Sequence, residues 1–403
     1  MIILPRTYAT VPILLLILVS ITANAQQNLF AAQNIESPTV DAKGRVTFRL
    51  IAPNAKKVQV AGDFVKADPK NPAGGIVGTG LVDCKKQGDS LWVYTSKPLP
   101  SELYNYVFVV DGVAHTDPNN VHVYRDFATI SNVFLVPGGQ ADLYAVHKVP
   151  HGTLRARWYY SDLLRMERRI NIYTPAGYEA NPTKRYPVLY LLHGMGGDED
   201  EWVHFGRACQ ILDNLIAQGK AEPMIVVFTN GHAGMQAAPG ESSWGYYKPH
   251  YLPHGTMDGE FETAFPEVVT FVDKYYRTKA DKDHRAIAGL SMGGFHSIYI
   301  SANNPQLFSY VGMFSAAIGV MPGTMKNPIY QNMDQKINNL YNTGLKLLWT
   351  GIGTEDFLYK NNKAFRERLD KAGHKYTYVE TGDGHVWKNW RIYLSQFAPL
   401  LFK

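Results

Sequence analysis

Three side chains far apart in this sequence could together carry out nucleophilic acyl transfer. Ser291 lies in Gly289-Leu290-Ser291-Met292-Gly293, with Gly294 next. A serine hydroxyl is a poor nucleophile until a base takes its proton, and the base needs an acid to orient it. Downstream, Asp356 ends Gly353-Thr354-Glu355-Asp356 and His385 ends Gly382-Asp383-Gly384-His385. Two neighbours compete for these roles. Glu355 adjoins Asp356, and His374 follows Gly373. Asp356 is preferred as the acid. His374 falls at a helix end, where solvent or capping is the expected role, so His385 is preferred as the base. Attack on a carbonyl creates an oxyanion that needs two backbone N–H donors. Met292, directly after the serine, supplies one. Met195, in His193-Gly194-Met195-Gly196-Gly197, is the expected second. Trp202, Trp244, Tyr246 and Trp387 are aromatic candidates for a substrate pocket, although a flat ring packs equally well in a loop.

Those residues need a scaffold that brings them together. From about residue 155, apolar runs alternate with amphipathic segments. The runs 188–193, 224–229, 285–288, 310–314, 346–350 and 376–380 read as buried strands. The segments 207–218, 262–277, 293–303, 361–372 and 388–398 read as helices. Such alternation predicts a mostly parallel sheet covered on both faces. Ser291 then sits between a strand and a helix, where flanking glycines let two backbones approach closely. Asp356 and His385 each fall just past a later strand, the order and placement of an α/β-hydrolase.

The front of the chain has another texture. Residues 45–50, 57–61, 90–95 and 104–110 alternate like strands, and Asp111-Gly112 is a hairpin turn signal. Short strands without a helical period predict a small β-sandwich. Its aromatics Trp92, Tyr104 and Tyr106 are expected to be core. The expected organisation is a leader over 1–25, a sandwich over 30–146, a linker over 147–160 and an α/β-hydrolase domain over 161–403.

The leader combines Arg6, the apolar run 11–19 and Ala23-Asn24-Ala25, the form of a secretory signal cut after Ala25. The run is too short for a membrane anchor, so a secreted or periplasmic protein, free of the membrane after cleavage, is expected. The chain has 403 residues, a formal net charge of +5 and no Lys/Arg run, which argues against a nucleic-acid partner. Its two cysteines, Cys84 and Cys209, are expected to be buried free thiols. His250 and His254 have helical metal-ligand spacing, but Pro249 and Pro253 exclude a regular helix there. With no dinucleotide or phosphate-loop fingerprint, no metal or cofactor is expected.

The back half resembles the esterase D-like family of α/β-hydrolases, which includes the feruloyl esterases of carbohydrate esterase family 1. The resemblance runs through RRINIYTPAGY (168–178), YPVLYLLHGMGGDEDEW (186–202), RAIAGLSMGGF (285–295), GTEDF (353–357) and GHVWKNWRIYL (384–394). It implies Ser291 as nucleophile, Asp356 as acid, His385 as base and the Met195 and Met292 amides as oxyanion donors. It also implies hydroxycinnamoyl esters on plant cell-wall xylan or its oligosaccharides as substrates. The segments 44–64 and 104–120 resemble the immunoglobulin-like early-set domain found before such esterases and near glycogen-branching-type enzymes, which implies an immunoglobulin-like sandwich in front. Acetyl-xylan esterases, enterobactin-type siderophore esterases, a mycolyl-type acyltransferase and a non-catalytic carbohydrate-binding protein are the alternatives.

Overall fold

The computed structural model describes residues 35–66, 80–126, 129–242, 255–319 and 326–403. The leader, Trp244, Tyr246, His250 and His254 therefore lie outside the described residues. Glu36–Lys403 form one compact unit.

The front half is built of strands. They are β1 (Thr39–Val40), β2 (Val46–Ile51), β3 (Val58–Gly62), β4 (Gly80–Asp83), β5 (Lys85–Gln87), β6 (Leu91–Thr95), β7 (Glu102–Val110), β8 (Val113–His115), β9 (Val123–Asp126) and β10 (Thr129–Val136). One sheet runs β1-β2-β6-β5 and the other β4-β3-β7-β10-β9, with β8 paired to β7. Alternation sends Val46, Phe48 and Leu50 of β2 inward, where they meet Val58, Val60, Trp92, Tyr104, Tyr106, Phe108 and Phe134. The aromatics that could have faced a sugar thus fill the core of a sandwich. Asp111 and Gly112 both take positive φ and turn β7 into β8, as a tight hairpin requires.

The back half holds β11 (Thr153–Ser161), β12 (Met166–Thr174), β13 (Val188–Leu192), α1 (Glu201–His204), α2 (Ala208–Ala217), β14 (Ile225–Thr229), α3 (Glu260–Tyr275), β15 (Arg285–Leu290), α4 (Met292–Asn303), β16 (Tyr310–Phe314), α5 (Met333–Asn342), β17 (Leu347–Gly353), α6 (Tyr359–Lys371), β18 (Thr377–Thr381) and α7 (Trp387–Phe397). These strands form one eight-stranded sheet in the order β11-β12-β14-β13-β15-β16-β17-β18. Every neighbouring pair from β14 to β18 is parallel. The expected linker is shorter than 147–160, because residues 153–160 belong to β11. That strand carries Arg155 and Arg157 and much exposed surface, so it lacks the continuous apolar run of a buried strand.

Side chains alternate across the sheet, so each strand feeds two cores. Val188, Tyr190 and Leu192 join α3, α4, α5 and α6 on one face. Leu189 and Leu191 join α2 and α7 on the other. Leu103, Val133, Ala141 and Tyr144 of the front half are part of this second core, so the sandwich lies against the α2/α7 face. Cys84 is buried and Cys209 half-buried, both as free thiols; Cys209 is thus less covered than expected. Among the described residues no helix is long and apolar enough to cross a membrane.

Candidate active site

The site collects at the C-terminal ends of the parallel strands. β15 runs directly into α4, and Ser291 occupies the corner with φ 50° and ψ −112°. A non-glycine residue in this region costs about 1–3 kcal/mol, so the surroundings must enforce it. Ser291 N–H donates to Phe314 O at 2.8 Å. Its carbonyl accepts from Phe295 N–H at 3.1 Å and Ala317 N–H at 2.9 Å. The flanking glycines are needed for close approach: a Cβ on Gly293 would lie 2.6 Å from His193 O, and one on Gly289 2.5 Å from the Gly293 carbonyl carbon.

Asp356 and His385 come from turns after β17 and β18 and meet at 2.9 Å between Oδ2 and Nδ1. The other Asp356 oxygen accepts Leu358 N–H at 2.9 Å, and the carboxylate is buried. Glu355 points into solvent, so burial separates the two neighbouring acids. His374 lies flat on Tyr341 at 4.0 Å and contacts Asn338, on the surface. Asn389 donates to Gly382 O and Gly384 O and so ties α7 to the turn that presents His385. Asp383, at φ 61°, pairs with Lys388 and belongs to that turn. Among the described residues no hydrogen bond joins Ser291 to His385; such contacts are often long before substrate arrives.

The loop after β13 approaches the serine from the other side. A Cβ on Gly194 would lie 3.5 Å from the Ser291 Cβ. A turn bond from Gly197 N–H to Gly194 O, 3.0 Å, leaves Met195 at its apex. Met292 is the first residue of α4, whose leading N–H groups have no intrahelical partner. His193 supports the loop from beneath. Its Nδ1 donates to Gly194 O at 2.6 Å, because its Nε2 accepts Gly231 N–H at 2.7 Å. Burial, reinforced by His232, holds the His193 pKa well below the usual range, so the ring stays neutral. Burial likewise lowers His232 to about 4.

Two aromatic candidates need correction. Trp202 is 1% exposed, donates to Leu192 O at 2.9 Å and packs edge-on against Trp387. Trp387 is 5% exposed, between Phe205, Trp202 and Trp390. Both are core; neither offers a face to a substrate. Trp390 supports the imidazole of His385 edge-on at 4.9 Å. Among the described residues, Phe357 faces outward beside the pair, 71% exposed and 4.7 Å from the His385 ring. Its position directly after Asp356 was the only available signal, and an apolar residue there reads equally as core.

The Esterase family model matches residues 161–401. The chain belongs to the Esterase family. It is 31% identical over 374 residues to an endo-1,4-beta-xylanase/feruloyl esterase of Xylanibacter ruminicola, covering 91% of this chain and 46% of that protein. The chain thus spans about half the length of that curated relative. A solved ferulic acid esterase superimposes with a TM-score of 0.51 at 26% identity, over 62% of this chain and 97% of that one. The fold of both halves together is similar to that of the enterobactin esterase of Shigella flexneri, with a TM-score of 0.61 at 16% identity, over 89% of this chain and 93% of that one.

Proposed function

We propose that this member of the Esterase family is a secreted serine esterase that hydrolyses hydroxycinnamoyl esters carried on plant cell-wall xylan or its oligosaccharides. The observation that carries the chemistry is the buried Asp356 carboxylate on His385, with a strained serine at the end of β15 on the same end of the sheet. The substrate class is supported by the likeness, across nine-tenths of the chain, to the xylanase/feruloyl esterase.

Ser291 Oγ attacks the ester carbonyl carbon while its proton passes to His385 Nε2. Asp356 holds the His385 Nδ1 proton and stabilises the imidazolium. The negative charge gathers on the former carbonyl oxygen, within reach of the Met195 and Met292 N–H groups. Collapse breaks the C–O bond, and the alcohol leaves with the proton from His385. Water then repeats the sequence on the acyl-serine and releases the acid. Phe357 offers an aromatic face beside the imidazole, where it can stack on a phenolic or sugar ring.

A substrate panel on the mature protein tests this: methyl ferulate, feruloylated arabinoxylan oligosaccharide, acetylated xylan and a ferric catecholate trilactone. Turnover of the two feruloyl esters is expected. Hydrolysis of the trilactone alone, or of acetylated xylan alone, would replace the substrate class and leave the triad chemistry standing.

A further inference from the structure

The loop that follows β13 is held from outside its own half of the molecule. Arg125, on β9 of the sandwich, forms an ion pair with Asp198 at 2.6 Å, and the Asp198 side chain is almost fully buried. Asp198 Oδ1 accepts Asp200 N–H at 3.0 Å and Asp198 O accepts Glu201 N–H at 3.2 Å, so Asp198 anchors the turn that closes the loop. Asp126, the next residue of β9, places its carboxyl where a side chain on Gly196 would have to be; a Cβ there would overlap Asp126 Oδ1 and lie 3.1 Å from its Cγ. From inside, the Glu201 carboxyl fills the equivalent space at Gly197. Beside these contacts, the Tyr124 ring lies 5.4 Å from Phe205, which stacks on Trp387 near the start of α7. The sandwich strand thus meets the loop at Gly196 and Asp198, while Gly194, at the start of the same loop, lies against Leu290 and Ser291.

We propose that Arg125 and Asp126 are positioning residues for the hydrolytic site, holding the loop through which Met195 presents its N–H to the oxyanion. This rests on the assignment of Met195 as an oxyanion donor. An oxyanion donor is effective only where its hydrogen reaches the tetrahedral oxygen, and a displacement of about 1 Å can cost ~10² in rate. A loop rich in glycine has little stiffness of its own. The ion pair and the carboxyl seated on Gly196 supply that stiffness across the boundary between the two halves. The sandwich is then a structural part of the site and not an independent appendage.

The test uses the full mature chain and p-nitrophenyl acetate, an activated short ester that makes no demand on acyl or sugar recognition. Arg125→Ala should lower kcat by about tenfold or more, leave KM within about threefold, and lower the thermal midpoint, because Asp198 is left buried without its partner; the rates are read well below that midpoint. Arg125→Lys, which keeps the charge, should recover most of the lost kcat. Asp126→Ala should lower kcat in the same way. An unchanged kcat in Arg125→Ala, a rise in KM alone, or a lysine variant as slow as the alanine variant overturns the proposal. Ser291→Ala runs in parallel. If it retains activity, the site assignment itself is wrong; if it is silent while Arg125→Ala turns over normally, only the positioning role fails.

Discussion

The Asp356–His385 pair and the loop after β13 stand at the same end of the same sheet, yet they are held in different ways. Asp356 and His385 come from adjacent parallel strands, and the contacts around them are local: Leu358 N–H on the carboxylate, Asn389 on the Gly382 and Gly384 carbonyls, Trp390 against the ring. The loop after β13 takes much of its support from a strand that precedes it by about seventy residues, through Arg125 and Asp126. The proposed proton-handling pair is thus built into strand ends, whereas the loop proposed to stabilise the oxyanion is in contact with the other half of the chain. A second docking contact lies under α7. Arg391, fully buried, donates to Leu103 O at 2.7 Å and Phe205 O at 3.0 Å and pairs with Glu102 at 3.1 Å. It ties the helix that follows His385 to β7 of the sandwich.

This contrast can be broken at several points. Ser291→Ala should remove at least ~10³ of kcat without unfolding the protein, and Asp356→Ala should cost less than the serine, since removing the orienting acid leaves nucleophile and base in place. Equal activity in the wild type and Ser291→Ala, by initial rates, would remove the common centre from both regions. Arg391→Ala leaves Glu102 buried without its partner and should cost about 3–5 kcal/mol in urea unfolding. A loss under about 1 kcal/mol would mean that the docking contact contributes little to stability.

Asp126 sharpens the comparison through pH. Burial, with Asp198 adding to it and Arg125 opposing it, raises the Asp126 carboxyl from 3.8 to about 6. The groups facing it are Arg125, Asp198 and Glu201, and burial also pushes Glu201 well up. Between pH 4 and 6 the folded chain holds a proton at Asp126 that the unfolded chain has released. The stabilisation is therefore complete below about pH 4 and is lost as pH rises through about 6. Asp126→Asn should accordingly gain roughly 1–2 kcal/mol over the wild type at pH 8 relative to pH 4, a partial figure because the group is not fully enclosed. Thermal melts at both pH values check this; an equal difference at both would show that Asp126 ionises normally. Phe357→Ala should give the smallest effect, a rise in KM of about three- to tenfold for methyl ferulate and little change for p-nitrophenyl acetate. Equal changes for both esters would make Phe357 a support for His385 and not a substrate contact.

Much was legible in the residues because it was local. Apolar runs and helical spacing were sufficient for the strands β13 to β18 and for α2, α3, α4, α6 and α7, each within a few residues of its place. β11 was hidden because an edge strand with Arg155 and Arg157 carries no continuous apolar signal. α1 was missed because it has only four residues, and α5 because its polar sequence buries just Ile337 and Leu340 and carries little apolar signal. Trp202 and Trp387 were misplaced because an aromatic in a loop reads the same whether its ring faces a substrate or a core.

By itself the sequence determined the order serine, acid, histidine, the glycines that admit a strand–helix corner at Ser291, and the alternation that makes a sandwich in front and a covered parallel sheet behind. These depend on periodicity and on backbone freedom, which neighbouring residues specify. Only the tertiary structure decided that Asp356 and not Glu355 is the buried carboxylate, that Trp202 and Trp387 are core, and that Arg125, Asp126 and Arg391 join the two halves. Those outcomes depend on which surfaces are removed from water together, and residues hundreds of positions apart share that fate only once the chain has folded.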